Sequence, residues 1–269
     1  MTIGTYMHGM FARVRRLLLV WVLVPALALA QSAPVKPGRE ELEAQVREQR
    51  HAMALHPNDA GIIHRLVELF AALAEDYELE AGRQLYQAEN AMRYAKQVTR
   101  AAGDDPISYY WFAQASLLWG ATNGVQNSLH LVPAIERAID RCLMLAGTAT
   151  GARGSARAAL DCQRLRVQLQ ATWPAFPVSV GNGAAAEKLL RELLTVDGQD
   201  LRVYFVALPM AIRANNTGWV RELSAALASA IAVRPRSEGG KTPVMDRYLT
   251  WKAADVLAEA QQWLGYQKP

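Results

Sequence analysis

Between Thr172 and Ala207 the chain reads TWPAFPVSVGNGAAAEKLLRELLTVDGQDLRVYFVA, and this stretch leaves few choices of architecture. Pro174 and Pro177 lack a backbone N–H and fix φ, so the segment around them is loop. Gly181, Asn182 and Gly183 end it with residues that tolerate positive φ. Ala186, Leu189, Leu190, Leu193 and Leu194 then recur at three- and four-residue spacing, which places them on one face of a helix, with Glu187, Lys188, Arg191 and Glu192 on the other. Asp197-Gly198 supplies the stop, and a second apolar helix starts at Leu201. This is one step of a helical hairpin. Ala186, Leu190 and Leu193 partly follow the small–large–small spacing of a tetratricopeptide second helix.

Looser versions of the same step recur. Helices are expected over Glu40–Leu55, Ala60–Ala74, Leu85–Ala102, Ile107–Trp119, Val132–Ala146, Ser155–Thr172, Ala184–Val196, Leu201–Ala214, Thr217–Val233 and Val244–Leu264, with a polar loop over Ala121–His130. Trp111, Ala115 and Leu118 match the large–small–large spacing of a tetratricopeptide first helix. Hairpins start near residues 59, 106, 154 and 200, a period of about 47 that exceeds the tetratricopeptide length of about 34 through loop insertions. The expected fold is all-α, a tetratricopeptide-like α-α hairpin solenoid of about ten helices with degenerate repeats. A HEAT-like array or irregular bundle is the competing arrangement.

The N-terminus has the form of a secretory signal. Arg13, Arg15 and Arg16 precede an apolar run from Leu17 to Leu29, and Ala28-Leu29-Ala30 fits the small-x-small cleavage rule, with cleavage before Gln31. The run is shorter than the roughly 20 apolar residues of a spanning helix, and Pro25 interrupts it. Residues 1–30 are therefore expected to be a signal peptide, 31–38 a flexible tether and 39–269 the helical repeat domain, in the periplasm or secreted. The formal charge of +4 misleads, because taking away those three arginines leaves +1. A nearly neutral body lacks the basic face that nucleic-acid binding needs.

Cys142 and Cys162, the two cysteines, lie on either side of the Gly147–Gly154 turn. An antiparallel hairpin brings them together, and a bridge closing that loop would stabilise by roughly 3 kcal/mol. Two small buried thiols are the other reading. Zinc would need two further ligands.

Catalytic motifs do not assemble. Gly181-Asn182-Gly183-Ala184-Ala185-Ala186 fits a dinucleotide fingerprint in letters, but a Trp-Pro-Phe-Pro loop precedes it where a strand is required. His51, His56 and His64 do not share a helix face at metal-binding spacing. Asn215-Asn216-Thr217 reads as a turn. No acid–base or nucleophile set is visible, so neither an enzyme nor a cofactor or metal is expected. Aromatic rings beside loops are the best candidates for lining an apolar groove, namely Trp119, Trp173 and Phe176, with Asn123 and His130 as polar neighbours.

Several segments carry a family resemblance in sequence order: Leu85-Tyr86 with Ala91, Tyr94 and Ala95; Tyr110-Trp111-Phe112-Ala113; Ile135-Glu136-Arg137-Ala138; and Phe176-Pro177-Val178-Ser179-Val180-Gly181. Over roughly residues 58–230 the chain resembles the TRAP-transporter T-component family and related tetratricopeptide-like proteins. The resemblance implies an all-helical exported protein that works beside a periplasmic solute-binding partner and catalyses nothing. The usual lipidation cysteine is missing. A carrier that holds an apolar small molecule in an internal cavity is the alternative.

Overall fold

The computed structural model describes residues 34–78, 80–148, 153–175, 178–234 and 243–267, with the side chains of 153–155 excepted. The expected signal peptide, its cleavage site near Ala30, and Phe176 lie outside the described residues. The rest is all-helical. Ten helices follow one another: α1 (Arg39–Leu55), α2 (Ala60–Asp76), α3 (Ala81–Ala101), α4 (Pro106–Asn123), α5 (Val132–Thr148), α6 (Arg153–Thr172), α7 (Gly183–Asp197), α8 (Leu201–Arg213), α9 (Thr217–Ala232) and α10 (Val244–Tyr266). No described helix is long and apolar enough to cross a membrane.

Side-chain caps explain where many of these helices begin. Asp59 accepts from the Ile62 N–H, Asp105 from Ile107, Asn182 from Ala185, Asp200 from Arg202 and Asn216 from Trp219. Each cap satisfies an orphan donor of the first turn. Pro106 follows Asp105 at the first position of α4, where its missing N–H costs nothing. Pro209 lies inside α8, which runs through it.

Two departures from expectation are local. Residues expected as loop after Trp119 instead extend α4 to Asn123 and form a 3-10 helix over Gln126–Leu131. Positive φ occurs at Gly124 (89°) and Asn215 (50°), and not at Gly181 or Gly183. Gly181 is required for a different reason. Its N–H donates to the Pro174 carbonyl at 2.8 Å, and a Cβ there would overlap the Trp173 carbonyl oxygen and lie 2.6 Å from that of Pro174. The loop is closed by this backbone contact, in which no side chain fits.

Consecutive helices pack as antiparallel hairpins, and the even-numbered helices α2, α4, α6, α8 and α10 also touch one another in succession. They form an inner row, and no comparable row joins the odd-numbered helices. Three main cores fill the space between, with a small cluster of Ala71, Ala74, Ala88 and Leu118 beside them. The first joins α1, α2 and α3 around Leu66, Phe70 and Tyr94. The second joins α4, α5 and α6 around Tyr110, Ile135 and Leu165, with Trp173 at its end. The third joins α6 to α10 around Leu190, Tyr204 and Leu223.

Cys142 on α5 and Cys162 on α6, both fully buried, are joined as a disulfide with their Cα atoms 6.3 Å apart. The bond pins the second hairpin to the third.

Helix α10 is shared between cores. Val244, Met245 and Tyr248 in its first turns pack into the first core, whereas Ala253, Leu257 and Ala260 pack into the third. Polar contacts reinforce this return to the start of the chain. Tyr248 donates to Asp76, Lys252 pairs with Glu75 and with Asp76 (3.0 Å), and Arg247 pairs with Glu41 of α1. Burial opposes the Lys252 charge, but Glu75 and Asp76 outweigh it and raise its pKa. The row of inner helices thus closes on itself. The end of the expected tether joins the contact: the Lys36 ammonium lies over the rings of Tyr77 (4.2 Å) and Trp251 (4.4 Å), and the Tyr77 hydroxyl donates to the Pro37 carbonyl at 2.9 Å.

Candidate functional site

Of the residues nominated from sequence, Trp119, Asn123, His130 and Trp173 are described; they gather at the turn after α4, but the two indoles do not line one groove. Asn123 Nδ2 donates to Ser128 Oγ at 3.4 Å, and Ser128 Oγ donates to the Gly124 carbonyl at 3.0 Å. His130 Nδ1 lies 3.1 Å from the Asn127 carbonyl, and its ring meets Trp119 edge-on at 6.3 Å. These are turn-stabilising bonds. Trp119 packs toward the first core, beside Ala71, Ala74 and Leu118, while Trp173 is buried in the second. Gly120 sits against the Trp173 ring, since a Cβ there would lie 2.9 Å from Cζ2. The two indoles therefore face different cores.

The densest chemistry lies elsewhere, on the inner row. Arg157, Asp161 and Arg164 occupy one face of α6 at i, i+4 and i+7. Asp197 ends α7, and Asp200 and Arg202 open α8. Arg164 Nη1 donates to both Asp161 (2.9 Å) and Asp200 (2.7 Å), and its Nη2 donates to the Tyr110 hydroxyl of α4 at 2.8 Å. Arg157 donates to Asp197 at 2.7 Å, to Asp161 at 3.2 Å and to Asp200. Arg202 Nε donates to Asp200 at 3.1 Å, and its Nη2 lies 3.3 Å from Asp161. Three arginines meet three aspartates, and the cluster carries no net charge.

Burial alone would push the Asp200 carboxyl up. The guanidiniums of Arg202, Arg164 and Arg157 override it and hold the group down at about 2. Asp197 moves the other way, raised by burial that its one close arginine does not offset. Asp200 thus acts twice, as the N-cap of α8 and as the anion on which three arginines converge.

This cluster forms one wall of an open hollow of about 420 Å³. Glu68 of α2, Arg157, Arg202, Arg234, Asp246 and Leu249 of α10 complete its lining, with Asp197, Gln199 and Asp200. The lining mixes both charge signs and is open to solvent. Three further hollows occur among the described residues: about 340 Å³ between α3 and α5 over α4, about 560 Å³ along α3, and about 240 Å³ between α5 and α6. No group of three or more metal-binding side chains comes together among the described residues.

Sequence reading missed the charge cluster. Its one signal was the Arg157–Asp161–Arg164 stripe with Asp200 as a helix cap, and a stripe of alternating charge reads as a solvated face. Only the neighbouring helix turns it inward. No family model matches this chain, and no curated protein matches it either.

Proposed function

We propose that the chain is an exported, non-catalytic helical-repeat scaffold that docks a protein partner, in the manner of the accessory T-component of TRAP-type solute uptake systems, which its sequence resembles. One observation carries this reading. The molecule's densest polar cluster is charge-balanced and hydrogen-bonded within itself, so its groups hold α4, α6, α7 and α8 together instead of awaiting a substrate. Acid–base catalysis calls for groups poised near neutral pH, and Asp200 is held far below it. A rigid row of hairpins with open hollows on its surface suits recognition of another macromolecule. The leading residues supply the export signal, and the disulfide suits an oxidising compartment.

The test is direct binding. The mature chain, purified with its disulfide intact, is titrated by calorimetry with each TRAP-type solute-binding protein of its own host. The expected result is a stoichiometric complex with micromolar affinity, of about −8 kcal/mol. Failure of every such protein to bind at about 100 μM, together with a small molecule retained in native mass spectrometry, would replace the scaffold with the apolar carrier.

A further inference from the structure

The hollow between α3 and α5 differs in its chemistry from the one beside the charge cluster. Its floor is apolar, built from Tyr109 and Phe112 of α4 with Ala134 and Ala138 of α5, and its rim carries Arg137 and Arg141. Both arginines are exposed, and Arg141 leans toward the Tyr109 ring at 5.9 Å. The neighbouring hollow along α3 adds Arg93, Lys96 and Arg100, with Glu89 as its single carboxylate.

Helix α5 sorts its charges by face. Ala134, Arg137, Ala138 and Arg141 form one stripe at i, i+3, i+4 and i+7, turned to α3 and α4. Glu136 and Asp140 fall on the next stripe, where Asp140 pairs with Arg166 of α6. The acids are therefore turned away from the groove. Among the described residues none of Arg93, Lys96, Arg100, Arg137 or Arg141 forms an ion pair, whereas Arg157, Arg164, Arg202 and Arg247 all do. Five cations against one carboxylate, on a body that is nearly neutral as a whole, is a local field with a definite sign.

We propose that this groove docks an acidic amphipathic helix of a partner protein, with an aromatic or leucine anchor on the Tyr109–Phe112 floor and carboxylates paired with Arg137 and Arg141. The two arginines are one helical turn apart, which matches carboxylates at i and i+4 of an incoming helix. A volume of about 340 Å³ admits anchoring side chains and excludes a whole helix, whose polar face stays in water. The assignment rests on the scaffold reading and adds to it the surface and the partner chemistry.

The test uses the full mature chain and a fluorescein-labelled helical peptide of about 15 residues carrying Glu–x–x–x–Glu around a Phe anchor. Anisotropy should report micromolar binding that weakens several-fold between about 50 and 300 mM NaCl. The R137E/R141E double variant, with its helical circular dichroism unchanged, should lose tenfold or more, and a Lys–x–x–x–Lys peptide should regain binding on that variant. Ala134→Trp, which fills the floor without changing its charge, should also weaken the Glu peptide.

Equal binding of a Gln–x–x–x–Gln peptide, or undiminished binding by the double variant, would overturn the proposal. So would phosphatidylglycerol vesicles that bind the wild-type chain and not the double variant while no peptide binds, because the surface would then be one for lipid. A solute-binding protein that binds both chains equally overturns the groove and leaves the scaffold standing. Charge-dependent peptide binding without any solute-binding partner removes the transporter role and leaves the groove.

Discussion

Replacing Asp200 by Asn tests whether the buried charge cluster holds the inner helices together. The amide keeps the shape and can still accept from the Arg202 N–H, 3.1 Å away, so the cap of α8 survives. What disappears is the anion, leaving three guanidiniums with two carboxylates. Two arguments bound the cost. Holding the carboxyl at about 2 instead of 3.8 corresponds to about 2 kcal/mol of stability at neutral pH. Leaving a buried charge without its partner costs about 3–5 kcal/mol. Arg157 and Arg202 are partly exposed and can rehydrate, and buried Arg164 keeps Asp161 and Tyr110, so the lower figure dominates. The expected loss is about 2–3 kcal/mol by urea unfolding at pH 7. Its pH dependence follows from the depressed pKa. The contribution is complete above the ordinary value of 3.8 and is lost as pH falls through about 2, so close to half remains at pH 3. Wild type and variant should therefore converge in acid. Asp59→Asn serves as the comparison, because Asp59 caps α2 at an exposed site outside the cluster, and it should cost only a few tenths of a kcal/mol. A loss at Asp200 no larger than at Asp59, or one that does not shrink between pH 7 and pH 3, would refute the reasoning.

Reduction of the Cys142–Cys162 bridge, or its removal by paired alanines, should lower stability by about 3 kcal/mol, since the bridge closes a loop with a sequence separation of 20. Identical urea midpoints with and without dithiothreitol would count against it. Gly181→Ala should be more damaging than Gly120→Ala, because the new methyl meets backbone in the first case and the Trp173 ring in the second. Gly120→Ala should cost about 1–3 kcal/mol and shift tryptophan emission, whereas Gly181→Ala should fail to give soluble folded protein. Lys252→Met leaves Glu75 and Asp76 without their cation, and should cost about 1–2 kcal/mol given their partial exposure. Limited proteolysis of that variant should then cut first near the start of α10; an unchanged cleavage pattern would show that the contact does not hold the helix.

The helices were legible because their starts carry local chemistry. Asp59, Asp105, Asn182, Asp200 and Asn216 announce themselves beside apolar periodicity, and that pairing is readable within a few residues. Where the first turn is polar the signal fails. Ala81–Gln84 belongs to α3, yet no large apolar residue there opens the stripe that Leu85 begins. The 3-10 segment at Gln126–Leu131 falls in the stretch where a polar loop is expected, because six polar-rich residues show no 3.6 period. Site residues were harder for a different reason. Trp119 and Trp173 are separated from their packing partners by whole helices, and nothing local says which core each will enter. The return of α10 to α1 and α2 depends on contacts spanning more than 170 residues, which no periodicity encodes.

That return changes how the molecule comes into being. An open stack of hairpins can grow from one end, each unit settling on the last, and can lose a terminal unit without loosening the others. Here Arg247 reaches back to Glu41, and Tyr248 to Asp76, so the opening hairpin has unfilled apolar surface until the closing helix is made. A chain emerging from its N-terminus first would keep that core incomplete until its final helix arrived. Loop closure over such a separation is slow relative to local helix formation, so final consolidation should behave as a single late event. Cutting off the last helix would then weaken the beginning of the protein as much as its end.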